Sequence, residues 1–301
     1  MAKFTEAELN DIRDACKITA EAREYGKELI TKGERMVDVC NKIDKFILDK
    51  GYDLAFPAQI SLNNCAAHYG ASYNDSIIFD ETHLAKLDLG AMKNGAPGDT
   101  AISIDLSSDG RHSKLIEASR EALKRAISKV KAGVKTSEIG KAIEDTAIEF
   151  GFVPVSNLSG HGLGINDLHG SPKIPNIDTK DDIRLEAGMV VAIEPFITDG
   201  AGYVIERGES ELFMLEGKAR PRSLITRNVL KKILKFKGYP FARRYLDVEF
   251  GKPRVNFALK ELDQMGVLHK FPPLLDKDNG IVAQSEHSVL VTETGCEILT
   301  Q

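Results

Sequence analysis

GERMVDVCNKIDKFILDKG, Gly33 to Gly51, recurs one hundred residues later as GVKTSEIGKAIEDTAIEFG, Gly133 to Gly151. Both ends match as glycine, Val39 meets Ile139, and Ile43 meets Ile143. Asp38, Asp44 and Asp49 meet Glu138, Glu144 and Glu149, and upstream Glu21-Ala22 meets Glu121-Ala122. Each copy reads as a helix ending near the first glycine, then a second amphipathic helix closed by the last glycine. Met36, Val39, Cys40, Ile43, Phe46 and Ile47 form the apolar stripe of the first copy. Strand-like sequence follows each pair. A repeat of this kind predicts two similar α+β halves related by a pseudo-twofold, with a site between them.

The strand sequence after the first pair contains an oddity. LAKLDLGAMKNGAPGDTAISIDLS, Leu84 to Ser107, reads as a hairpin turning at Lys93-Asn94-Gly95. Centring the turn between 93 and 94 sets Asp88 opposite Asp99; centring it on Asn94-Gly95 sets Asp88 opposite Ala101. Side chains alternate with period two, so either register leaves both carboxylates on one face. Like charges facing each other across a ladder repel. A cation between them would remove the conflict.

Composition narrows the setting. The chain has 301 residues, 42% hydrophobic and 28% charged, with a net charge of −5. This is the balance of a globular protein, without the bulk positive charge of a general nucleic-acid or membrane binder. MAKFTEAELNDIRDACK has no apolar signal core, and no run is long enough to span a bilayer. Cys16, Cys40, Cys65 and Cys296 are widely spaced, which predicts free thiols in a cytoplasmic protein.

Further metal-ligating residue types follow along the chain. SGHGLGINDLHG carries His161 and His169, MVVAIEPF carries Glu194, IVAQSEHSVLVT carries Glu286, and NNCAAHY carries His68. Singly, such a carboxylate most often pairs with Lys or Arg or simply faces water, and such a histidine is most often structural. Together, Asp88, Asp99, Glu194, Glu286 and His161 all fall in strand-like segments from both halves. Burying those carboxylates bare is prohibitively costly. Two divalent cations would neutralise their formal charge, and an oxygen-rich set with one imidazole suits Mn, Fe, Co or Zn.

These residues and their surroundings (KLDLG, GDTA, GHG, AIEPF and QSEHSVLVT) resemble the methionine aminopeptidase family, of the pita-bread fold. The likeness covers essentially the whole chain. It implies an α+β catalytic domain over residues 1–301, with halves at 1–110 and at 111–205 plus 275–301. Ninety-one residues separate Glu194 from Glu286, and the interval reads as largely helical: SLITRNVLKKILKFKGYPFARRYL, NFALKELDQMG and FPPLLDKDNG. A helical insertion there, at about 206–274, resembles the type 2 enzymes with the short N-terminus of archaeal members.

The resemblance implies two metals, Asp88 chelating one, His161 and Glu194 holding the other, Asp99 and Glu286 bridging. It implies removal of the N-terminal methionine of peptides and nascent chains by a metal-activated hydroxide, with Glu194 as proton shuttle. His169 would stabilise the oxyanion and His68 would contact the scissile amide. Phe56 and Leu168 would wall the methionine pocket, and a cramped site beyond it would favour small second residues. Ser159 departs from the family, whose type 2 members often carry Asn there.

Two other readings have distinct signatures. A prolidase or aminopeptidase P usually carries an extra N-terminal domain, whereas here the first helix begins near residue 5. A non-catalytic pita-bread protein would have lost ligands. That second reading draws on a basic stretch, Lys218 to Leu246, with ten Lys or Arg and no Asp or Glu. Such a stretch suits contact with ribosomal RNA. A monomer is expected.

Overall fold

The computed structural model describes residues 4–301, and the repeat emerges in it as matched hydrogen bonds. Gly33 N–H donates to Phe79 O and Gly133 N–H to Leu185 O. Phe79 N–H donates to Glu34 O as Leu185 N–H does to Val134 O, and Met36 N–H to Ile77 O as Thr136 N–H to Ile183 O. The halves therefore share backbone pairing as well as sequence pattern.

Each half begins with two helices: α1 (Glu6–Leu29) and α2 (Met36–Asp49), then α3 (Ser113–Lys129) and α4 (Thr136–Glu149). Thr5 caps α1 in a box with Glu8, satisfying two backbone donors that the first turn leaves unpaired. Gly51 and Gly151 follow α2 and α4 at φ +84° and +82°, values that terminate a helix without a Cβ clash. Met36, Val39, Cys40, Ile43 and Ile47 are buried against the first half's sheet, and Ile139, Ile143 and Ala147 against the second's. Phe46, the sixth member of the stripe, is half-buried and stacks on Tyr25 at 4.7 Å.

In the first half, strand Leu84–Lys93 pairs antiparallel with Asp53–Leu62 and with Thr100–Asp105. The second half has a five-stranded sheet in the order Cys296–Ile298, His287–Val291, Val190–Ile193, Ser159–Gly164, Asp167–Pro175. A smaller sheet orders Val282–Gln284, Phe196–Thr198 and Val153–Pro154. A third apolar cluster, including Ile12, Phe56, Met92, Leu168 and Ala192, joins the halves.

Between the paired strands Val204–Glu206 and Leu274–Asp276 lie three helices, α5 (Leu224–Ile233), α6 (Arg244–Phe250) and α7 (Lys252–Gln264). They pack on a sheet of Phe241–Ala242, Leu212–Leu215 and Leu268–Phe271, so the interval is not purely helical. FPPLLDKDNG, expected as helix, is strand and turn. Pro272 and Pro273 cannot donate to a helix, and Asp276 Oδ1 accepts from the backbone of Asp278 and Gly280 to close a turn.

One close approach fixes the strand that carries His161. A Cβ at Gly160 would lie 2.2 Å from Ala192 O, a backbone atom of the neighbouring strand. Gly160→Ala is expected to destabilise the protein by about 1–3 kcal/mol through forced strand separation. Urea unfolding measures it; an unchanged midpoint would show that the sheet gives way freely.

Candidate metal centre

The hairpin turn is Asn94-Gly95, both at positive φ, and the ladder pairs Lys93 with Ala96 and Asp88 with Ala101. This is the second of the two registers; Asp99 is diagonal to Asp88 rather than opposite it. Asp99 itself leaves the ladder, between Ala96–Pro97 and Thr100–Asp105. Its backbone N–H donates to Ser288 Oγ at 3.2 Å, and that hydroxyl donates back to Asp99 O at 2.8 Å. A side chain of the second half thus holds a carboxylate of the first.

The expectation that all five ligand candidates lie within strands is corrected in three cases. Only Asp88 and His161 are strand residues. Glu194 falls in the break before Phe196–Thr198, and Glu286 in the break before His287–Val291. Each break is where a chain passes between the five-stranded and the smaller sheet, since Ile193 pairs with His287 and Phe196 with Gln284. The chain turns there, and both glutamates point inward.

A cavity of ≈ 310 Å³ collects every residue singled out from the sequence: Asp88, Asp99, His161, Glu194 and Glu286, then His68, His169, Phe56 and Leu168. Ligand atoms of Asp99, His161 and Glu286 lie within 4.8 Å of one another. His161 Nε2 is 3.6 Å from Asp99 Oδ2 and 3.6 Å from Glu194 Oε1. Its Nδ1 donates to Gly162 O at 3.3 Å, which leaves Nε2 free to act as a ligand. Gln284 Nε2 donates to Glu194 Oε2 at 3.4 Å.

Charge in this cavity is unresolved by protein partners. Burial pushes the Asp88 carboxyl up to about 7, although Gln284 opposes the rise. Burial and then the charge of Asp88 hold Asp99 well above the carboxylate range. Glu194 and Glu286 are raised by burial and by the neighbouring carboxylates. Asp88 Oδ1 is buried without a hydrogen-bond partner. Orphaned, crowded carboxylate oxygens beside an imidazole fit bound divalent cations, whose charge makes the ionised forms favourable.

His68 and His169 lie beside this cluster. Burial lowers His68 to about 4, and burial, then the His68 and Lys173 charges, lower His169 to about 4. Both are therefore neutral near pH 7. His68 adopts φ +64°, an uncommon value for a residue with a Cβ that sets the direction of its ring. Phe271 packs 5.5 Å from the His68 ring and 6.5 Å from the His169 ring.

Residues 10–293 match the model of metallopeptidase family M24. The chain belongs to this family. A methionine aminopeptidase of Archaeoglobus fulgidus is 40% identical over 289 residues, covering 96% of this chain and 97% of its own. One of Methanothermobacter thermautotrophicus is 37% identical, covering 95% and 97%. A crystal structure of a methionine aminopeptidase from Thermotoga maritima covers 100% of this chain and 99% of its own, with a TM-score of 0.74 at 23% identity, a likeness of fold. These relatives and the pita-bread architecture agree with the α+β duplication. Among the described residues no helix is long and apolar enough to cross a membrane.

Several lining residues of this M24 site were not anticipated. His269, Phe271, Leu212 and Pro240 come from the segment read as a helical insertion, and Gln59 lies opposite Asp88 in the ladder. Gln284, two residues before Glu286, was legible only as part of AQSEH.

The raised Asp88 pKa has a consequence for the metal-free protein. The folded chain keeps a proton that the unfolded chain, at its ordinary value of 3.8, gives up. That stabilisation is full below about pH 4 and is lost as pH rises towards about 7. Metal-free native protein is therefore expected to lose stability relative to an Asp88→Asn variant as pH rises from 5 to 7. Mn²⁺ at one hundred times its Kd should restore about 2.7 kcal/mol at pH 7, roughly 5 °C in a scanning melt. A melt indifferent to both pH and metal would contradict this.

Proposed function

We propose that this chain hydrolyses the first peptide bond of peptides and nascent chains that begin with methionine, preferring small second residues. The observation that carries this is one cavity holding four carboxylates and an imidazole beside two neutral histidines and the apolar Phe56 and Leu168. Asp88, Asp99, His161, Glu194 and Glu286 would hold two divalent cations, with Co, Mn, Fe and Zn all compatible. Bound there, the cations supply Lewis-acid chemistry, polarising oxygen and lowering the pKa of water.

The chain's own residues do the rest. Phe56 and Leu168 receive the methionine side chain. Glu194 accepts a proton from the attacking water and returns it to the leaving nitrogen, so a C–O bond forms as the C–N bond breaks. Neutral His169 donates its N–H to the carbonyl oxygen as negative charge develops there. Neutral His68 contacts the scissile amide and assists that proton transfer.

The test is methionine release from Met-Ala-Ser and Met-Lys-Ser by metal-stripped protein, before and after Mn²⁺ or Co²⁺. Metal-dependent release from the Ala peptide alone is expected. No release with any metal, from protein shown to be folded, would overturn the reading.

The basic segment supports a second proposal, an electrostatic contact with ribosomal RNA. Lys218, Arg220, Arg222, Arg227, Lys231 and Lys235 are exposed. Arg243 and Arg244, counted in the same stretch, are instead buried beside Asp247 and Asp44 and are unavailable. Sedimentation with ribosomes should fall steeply with salt; no binding at low salt would end the idea. A cytoplasmic setting is our inference, supported by four free cysteines, and a monomeric state is proposed with it.

A further inference from the structure

Lys173 is an exposed cation that lines the mouth of the active-site cavity and, among the described residues, has no carboxylate within 4.0 Å. Its strand, Asp167–Pro175, also carries His169, and both residues line the cavity. Gly160 pairs with Ile174 but Gly162 with Gly170, so the ladder slips between them and Lys173 lies in the bulge across from His161. The ammonium field reaches inward, opposing the rise of the Glu194 pKa.

Among the described residues no acidic group forms an ion pair with it. The carboxylates lining the cavity are the four of the centre, which divalent cations would neutralise. The imidazole of His269, also in the wall, faces Glu216, with Nδ1 3.5 Å from Oε1. A peptide leaving the cavity past His169 therefore meets one uncompensated positive charge. On the aminopeptidase reading the methionine would fill the pocket of Phe56 and Leu168, and the second residue would lie near His68 and Phe271. The third residue would then be the first whose side chain reaches the rim.

We infer that Lys173 is a specificity residue for the peptide beyond the cleaved bond, favouring Asp or Glu over Lys or Arg at the third position. This rests on the aminopeptidase reading above and names a feature of its substrates. Attraction at the rim acts on the bound ground state and the transition state alike, so it enters chiefly through KM.

The experiment compares Met-Ala-Glu-Ser-amide with Met-Ala-Lys-Ser-amide, the amide removing the terminal carboxylate that would otherwise compete. The ratio of the two kcat/KM values is taken within each protein, which cancels any general loss of activity. Native protein should favour the Glu peptide roughly fivefold at low salt, with the ratio falling towards one in about 0.5 M salt. Lys173→Met should bring the ratio near one, Lys173→Glu should reverse it, and Lys173→Arg should keep it. A ratio near one in the native protein, or one unmoved by Lys173→Glu, overturns the inference. Equal loss on both peptides does so too, because it leaves Lys173 acting only on the acidic centre. Release from neither peptide by native protein defeats the aminopeptidase reading itself.

Discussion

Glu194→Gln should lower kcat/KM for Met-Ala-Ser by roughly 10²- to 10⁴-fold. The substitution keeps the volume of the side chain and one oxygen, but it removes both the negative charge and the site for a proton in transit. Glu194 is placed for that traffic: its Oε1 is 3.6 Å from His161 Nε2, and its Oε2 accepts from Gln284. Burial, then the charges of Asp99 and Asp88, raise its pKa, so the site favours a proton on this carboxylate. Metal analysis on the same sample separates two causes of the loss. Low activity with metal retained assigns the loss to proton transfer, and low activity with metal lost assigns it to ligation. Activity within about threefold of the native protein would remove Glu194 from the reaction.

What the sequence made legible was local and periodic. The Gly33 and Gly133 copies share apolar positions because each presses the same helical face on a sheet, and such periodicity survives in one sequence. Asp88 and Asp99 could be placed on one face by alternation, but not in register, because Lys93-Asn94-Gly95 permits two turn centres. The choice is settled by continuous pairing around Asn94-Gly95, while Ser288, about two hundred residues further on, draws Asp99 out of the ladder. No local pattern encodes that contact.

The breaks at Glu194 and Glu286 were hidden for a related reason. Strand-like residues flank each of them, Ile193 and Phe196 about Glu194 and Ala283 and Val289 about Glu286, although the flanking segments belong to different sheets. His269 and Phe271 went unnoticed because the interval was read for helices. Pro272-Pro273 was the available sign that Phe271 ends an extended segment. Residue types and their order thus suggested the metal ligands, whereas the walls and rim of the cavity required tertiary structure.

Asp44→Ala should destabilise the protein by about 3–5 kcal/mol, because it strips a buried guanidinium of its counter-ion. Asp44 Oδ2 accepts from Arg244 Nη2 at 2.5 Å and from Tyr245 OH at 2.6 Å, and Oδ1 accepts from Ala58 N–H at 2.8 Å. Arg244 is only 2% exposed and Asp44 4%, so water cannot replace the lost acceptor. The pair joins α2 of the first half to α6, and Ala58 belongs to the strand that carries Phe56 and Gln59. The repeat offers a comparison: among the described residues Glu144 accepts only Asp178 N–H, on a partly buried site, so Glu144→Ala should cost less. Urea unfolding of both variants measures the difference. Replacing the pair together, Asp44→Leu with Arg244→Met, should recover much of the loss, because no unpaired charge remains. If Asp44→Ala proved no worse than Glu144→Ala, the ion pair would not be what anchors α6 to the first half.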